Sequence, residues 1–126
     1  MNIPTYLILG EPITKKNSQQ ICVNSRTGRR FIRPSKDFLE YQTNCGYFLR
    51  KNGNATIDYP VNIKVLFYRS TQRRCDLTNL LEAIDDILVR YEVLADDNFK
   101  IVAGHDGSRV LIDKDNPRTE IYITRL

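Results

Sequence analysis

The chain has 126 residues, 41% hydrophobic and 27% charged, with a formal net charge of +4 at pH 7. That length suits a single domain with a real core, and no apolar run approaches the roughly 20 residues of a membrane helix. Three scattered cysteines (Cys22, Cys45, Cys75) and one histidine, His105, argue against a disulfide framework, a zinc site or a histidine-rich dyad. A cysteine–histidine nucleophile pair stays formally open, with nothing local to support it. The start of the chain lacks a basic segment followed by a long apolar one, so no secretory signal is expected and a cytoplasmic location is the default expectation.

Charge is unevenly spread. Through Cys75 the chain has 13 basic residues against four acidic ones, a net of +9, and the remainder carries −5. Such asymmetry suits nucleic-acid phosphates; a merely solvated surface is the plainer alternative.

In chain order, Tyr6 to Leu9 predicts a first strand, broken by Gly10-Glu11-Pro12. A polar loop with Lys15 and Lys16 follows. Gln19 to Val23 and Arg30 to Arg33 predict a hairpin with a basic tip, Asn24 to Arg29, which suits either a phosphate contact or an ordinary turn. Ser35 is placed to cap a helix running to about Arg50, ended by Asn52-Gly53-Asn54. Val61, Ile63, Val65 and Phe67 alternate with mostly polar residues, which predicts a half-buried strand. A polar loop, Arg69 to Arg74, leads to Asp76.

From Leu77 to Val89 the apolar residues recur at spacings of three and four, one buried helical face. The other face carries Asn79, Glu82, Asp86 and Arg90. Asp76 stands where an N-cap carboxylate would accept backbone N–H bonds. A short turn and Asp96-Asp97 follow, then a predicted strand from Phe99 to Ala103. Beyond it come a Gly104–Gly107 turn holding His105 and Asp106, a strand at Arg109–Ile112, another turn and a final strand at Thr119–Thr124. The predicted fold class is α+β, a mixed or mainly antiparallel sheet with two helices. A strand returning beside the second helix would bring Asp97 back towards Asp76.

The stretch from Arg73 to Lys100 holds seven of the 15 acidic residues. Mg²⁺ takes oxygen ligands, typically one or two carboxylates with phosphate and water, so converging aspartates beside a basic surface suit phosphodiester hydrolysis. The alternative is an N-cap at Asp76 and an acidic turn at Asp96-Asp97.

This stretch resembles the RusA family of Holliday-junction resolvases. Their signature is Asp-x-Asp-Asn at a helix start, a basic residue shortly after, and an Asp-Asp pair about twenty residues on. Here Asp76-Leu77-Thr78-Asn79 and Asp96-Asp97 occupy those places. The resemblance spans most of the chain, but only this core is specific. It implies Asp76 and Asp97 as metal-binding catalytic carboxylates with Asp96 beside them, Mg²⁺ (or Mn²⁺) as cofactor, four-way DNA junctions as substrate, and a RusA-like homodimer whose two-fold symmetry matches paired nicks. Lys15, Lys16, Arg73 and Arg74 would contact phosphate, and Asn79 would orient a carboxylate or water. Two positions depart from the signature: Thr78 replaces its second aspartate and Glu82 its basic residue. Glu82, four residues after Thr78, is a helical neighbour and is expected to supply the third carboxylate. A catalytically impaired, RusA-like DNA-binding protein is the alternative, and a small nucleotide phosphohydrolase a third.

Overall fold

Strand β4 (Val61–Arg69) is the centre on which the other elements are built. The computed structural model describes residues 3–15, 19–49 and 54–126; Lys16, Arg50 and the Asn52-Gly53 expected to end the first helix lie outside them. Around β4 stand β1 (Tyr6–Leu9), β2 (Gln19–Val23), β3 (Arg30–Pro34), α1 (Lys36–Phe48), α2 (Leu77–Arg90), β5 (Val102–Gly104), β6 (Arg109–Ile112) and β7 (Arg118–Arg125). β4 pairs antiparallel with β7 from Val61↔Arg125 to Tyr68↔Arg118, and β7 pairs antiparallel with β1. On its other side β4 runs parallel to β5 at Val61 and to β6 from Leu66 to Arg69. The fold is thus α+β, with two helices and an open mixed sheet, as the sequence predicts. No helix among the described residues is long and apolar enough to cross a membrane.

Alternation along β4 decides the layers. Val61, Ile63, Val65 and Phe67 are fully buried, while Asn62, Lys64, Leu66 and Tyr68 on the opposite face are half-buried. Ile8 of β1 and Ile121 of β7 extend the buried face, and both helices join the same core: Phe38, Tyr41 and Cys45 from α1; Leu80, Ala83, Ile84, Ile87 and Leu88 from α2. Polar stacks cover the far face instead. The Arg118 guanidinium lies 3.7 Å from the Tyr68 ring centre and binds Glu120 and Asp113 at 2.8 Å.

Ser35 caps α1 as expected, accepting from the Phe38 N–H at 3.2 Å. The end of α2 closes in a Schellman motif: the Val93 N–H reaches Leu88 O (2.9 Å) and the Glu92 N–H reaches Val89 O (3.0 Å), with Glu92 at φ 61°. Buried Val93 and Leu94 pin the reversed chain against Ile57. The strand expected at Phe99–Ala103 starts later, at Val102. Asn98 accounts for the delay, since its carbonyl accepts from Ile101 and Val102 and its side chain accepts from the Lys100 N–H. These local bonds hold the backbone in a turn and leave Phe99 78% exposed.

Tyr91 ties the helices together. Its hydroxyl donates to Gln42 O (2.9 Å), and a Cβ at Gly46 would meet its ring at 2.6 Å. Alanine for glycine inside a helix ordinarily stabilises by roughly 0.5–1 kcal/mol. Gly46→Ala should instead destabilise, by about 1–3 kcal/mol of overpacking, in urea unfolding. A gain in stability would mean that the ring moves aside freely.

Candidate functional site

Because the apolar stripe of α2 is committed to β4, its remaining side chains look outward or along the rim of the core. Glu82 is exposed, Asp86 is half-buried, and Asp85 sits at the rim with 13% of its side chain exposed. The Schellman reversal then carries Asp96-Asp97 back beside them. Across the fold, Asp97 comes near enough to Asp85 and Asp86 to raise both carboxyls. Asp76 lies ten positions earlier, about 15 Å of helical rise away.

The cluster is electrostatically tense. Burial raises the Asp86 carboxyl above its usual range. Lys15, whose Nζ stands 3.9 Å away, opposes the rise, and Asp97 and Glu82 add to it by repulsion. Asp85 is likewise raised by burial, in part offset by His105, with Asp97 pushing the same way as burial. Its Oδ1 is buried without a hydrogen-bond partner among the described residues.

His105 completes the rim. Its Nδ1 lies 2.8 Å from Ile63 O, and its Nε2 lies 2.8 Å from Asp85 Oδ2. A carbonyl only accepts, so Nδ1 carries a proton. One further proton must then sit between Nε2 and Asp85. Burial works against charging the ring, but the hydrogen bond and charge of Asp85 outweigh it, and the His105 pKa is raised. Both ring nitrogens are engaged, so no cysteine–histidine pair forms here. The three cysteines are free, and burial pushes the Cys45 thiol up to about 12.

Sequence reasoning placed His105 in a turn and left Asp85 and Asp86 out of the site. A readable signal existed for Asp86, which falls one helical turn after Glu82. For Asp85 the signal was a carboxylate wedged between the buried Ile84 and Ile87, a place that demands a partner. That His105 would be the partner depends on the β5–β6 turn, about twenty residues away.

The remaining expected residues fall as follows. Asp76 holds the N-cap position, but its side chain makes no capping bond; it accepts instead from Asn79 Nδ2 at 3.3 Å. The expected cap is therefore absent, and the carboxylate faces outward. Asp96 turns into its own loop, accepting from the Asp97 N–H (2.7 Å) and Asn98 Nδ2 (2.9 Å), which lower its pKa. Arg73 and Arg74 are exposed and line a cleft of about 590 Å³ with Arg69, Thr71, Glu11 and Asp37. Thr14 and Cys75 also line this cleft.

Among the described residues, no group of three or more His, Cys, Asp or Glu side chains stands close enough together to hold a metal ion. The Asp86–Asp97 pair fits a divalent cation in another way. Two neighbouring carboxylates favour a bound cation, and Mg²⁺ commonly takes only one or two carboxylates, with phosphate and water filling the rest. No protein-family model matches the chain, and no curated protein matches it in sequence.

His105 binds its proton more tightly in the native chain than in the unfolded one. The resulting stabilisation is complete below the unfolded value of about 6.5 and is lost as pH rises through the higher native value. In His105→Gln this part of the pH dependence should vanish, leaving a flatter curve of urea midpoint against pH between about 6 and 8. An unchanged curve would show that the imidazole contributes nothing.

Proposed function

We propose that the chain is a divalent-metal-dependent endodeoxyribonuclease of RusA type, which nicks branched DNA at symmetric positions as a homodimer. The observation that carries this reading is the nearness of Asp97 to Asp86, together with an arginine-lined cleft, on a chain whose N-terminal part carries the excess of positive charge. A simple phosphohydrolase would not need that basic half.

Asp97 and Asp86 would hold the metal, with Asp76 at the other end of the acidic stripe and Glu82 between. Asn79 keeps the Asp76 carboxylate turned towards its own amide. When bound, Mg²⁺ or Mn²⁺ would supply a Lewis acid and an acidified water for phosphodiester hydrolysis. Arg73 and Arg74 would grip the DNA backbone, and Lys15 would neutralise phosphate as it approaches the carboxylates. Lys15 also returns a cation to a neighbourhood where Glu82 stands in place of a basic residue. Its pairing with Asp86 is half-exposed, so exchange towards a phosphate costs little.

The second reading is a RusA-like protein that binds junctions without cutting them. Thr78 in place of a carboxylate, and the lack of a three-ligand cluster among the described residues, favour it.

Cleavage of a labelled four-way junction with and without Mg²⁺ separates the two. Wild type should give paired symmetric nicks. Asp97→Asn should bind the junction but cut at least about 100-fold more slowly, given that even groups supporting a metal ligand cost 10–100-fold. Binding without cutting by wild type, in Mg²⁺ and in Mn²⁺, would replace the nuclease reading by the second. Glu82→Gln tests the extra carboxylate separately: a lost or severely reduced cleavage rate is expected, and full activity would assign Glu82 to the solvated helix face.

A further inference from the structure

The β2–β3 hairpin stands apart from the rest of the fold. Its strands pair only with each other, over five register positions from Gln19↔Pro34 to Val23↔Arg30. Among the described residues, none of the hairpin belongs to the core. Ile21 is 75% exposed and its cross-strand partner Ile32 64%. On the opposite face Phe31 is also exposed, paired with half-buried Cys22. An isolated two-stranded ribbon is marginal in water, and apolar pairs left open on both faces indicate a surface that something else covers.

The tip is nevertheless well built. Asn24 Oδ1 accepts from the N–H groups of Arg26 (2.8 Å) and Thr27 (3.3 Å). Gly28, at φ 70°, donates to Asn24 O, and the Asn24 N–H reaches Arg29 O, both at 2.8 Å. The left-handed conformation at Gly28 is the one a hairpin loop of this length requires. The result is a firm finger that displays Arg26 and Arg29.

Charge indicates the occupant. From Gln19 to Ser35 the chain has Arg26, Arg29, Arg30 and Arg33 and no acidic residue. By alternation, Arg30 shares a face with Ile21 and Ile32, and Arg33 shares the other with Phe31. Each face thus combines an apolar pair with a cation. A flat partner would meet one face only. A DNA groove has a phosphate wall on each side and base edges at its floor, and the major groove is wide enough for a two-stranded ribbon. Five residues per strand give about 17 Å of reach, enough to pass the backbone.

We infer that the β2–β3 hairpin is an arm that enters a groove of duplex DNA, with Arg26, Arg29 and Arg30 on the phosphates. This rests on the DNA reading above and adds a second contact region to the Arg73–Arg74 cleft. The arm engages an arm of the junction as duplex, so linear duplex should feel it too.

The test compares wild type with Arg26→Ala/Arg29→Ala/Arg30→Ala on a four-way junction and on a linear duplex, by fluorescence anisotropy between about 50 and 200 mM salt. Three lost phosphate contacts should lower the slope of log K against log salt by up to about 2.7, on both DNAs, and weaken binding at least about tenfold. The substituted side chains are exposed, so an unchanged unfolding midpoint is expected and serves as the folding control. An unchanged salt slope in a variant that binds as wild type does would overturn the arm and leave the nuclease reading intact. Failure of wild type to bind either DNA would overturn the DNA reading itself, and the arm with it. Unchanged DNA binding with a shift in sedimentation would reassign the hairpin to contact with a second copy of the chain and so overturn the inference.

Discussion

The packing of α2 on β4 is the constraint from which the candidate site follows. Leu80, Ala83, Ile84, Ile87 and Leu88 must face Ile63, Val65 and Phe67 to leave water. At 3.6 residues per turn that choice also fixes the positions of Glu82 and Asp86, and it strands Asp85 at the rim. Every acidic group on the helix is therefore placed by hydrophobic burial and not by any attraction among the acids.

Those placements carry an electrostatic cost that the fold offsets in three different ways. Asp85 receives His105, which is itself held by the Ile63 carbonyl of the central strand. Asp86 receives Lys15 from the loop after β1. Asp96 is satisfied by its own turn. Asp97 is the exception, because its cross-fold neighbours are carboxylates. A fold that gives most of its acids a donor or cation, yet brings this one against Asp86, leaves a position where an external cation would relieve the strain. That is the physical ground for the metal-dependent reading, independent of any resemblance.

The basic half meets the acidic one at Lys15, whose Nζ stands 3.9 Å from the Asp86 carboxylate. Arg73 and Arg74 line the cleft in the loop that follows β4, and among the described residues no hairpin side chain belongs to the core. In the proposed reading both would bind a polyanion. Carboxylates alone would repel such a substrate, so the excess of positive charge around them is what allows the two to meet.

Much of this was legible in the chain itself. Alternation in Val61–Phe67, the three-and-four spacing in Leu77–Val89, the Ser35 cap and the basic hairpin are local patterns, and local patterns reflect the periods of strand and helix. The α+β class and the stripe of Glu82 and Asp86 come from the same source. Two things depended on distant partners and could be decided only by tertiary structure. Asp97 comes back near Asp85 and Asp86, because the Schellman reversal at Glu92 and the bridge of Leu94 to Ile57 set how far the chain returns along the helix. His105, which reads as an ordinary turn residue, becomes the partner of Asp85 because β4 and α2 hold Ile63 O and Asp85 on either side of its ring. Sequence spacing sets which face a side chain occupies, but which other face it meets depends on where the chain turns, and the turns answer to burial across the whole molecule.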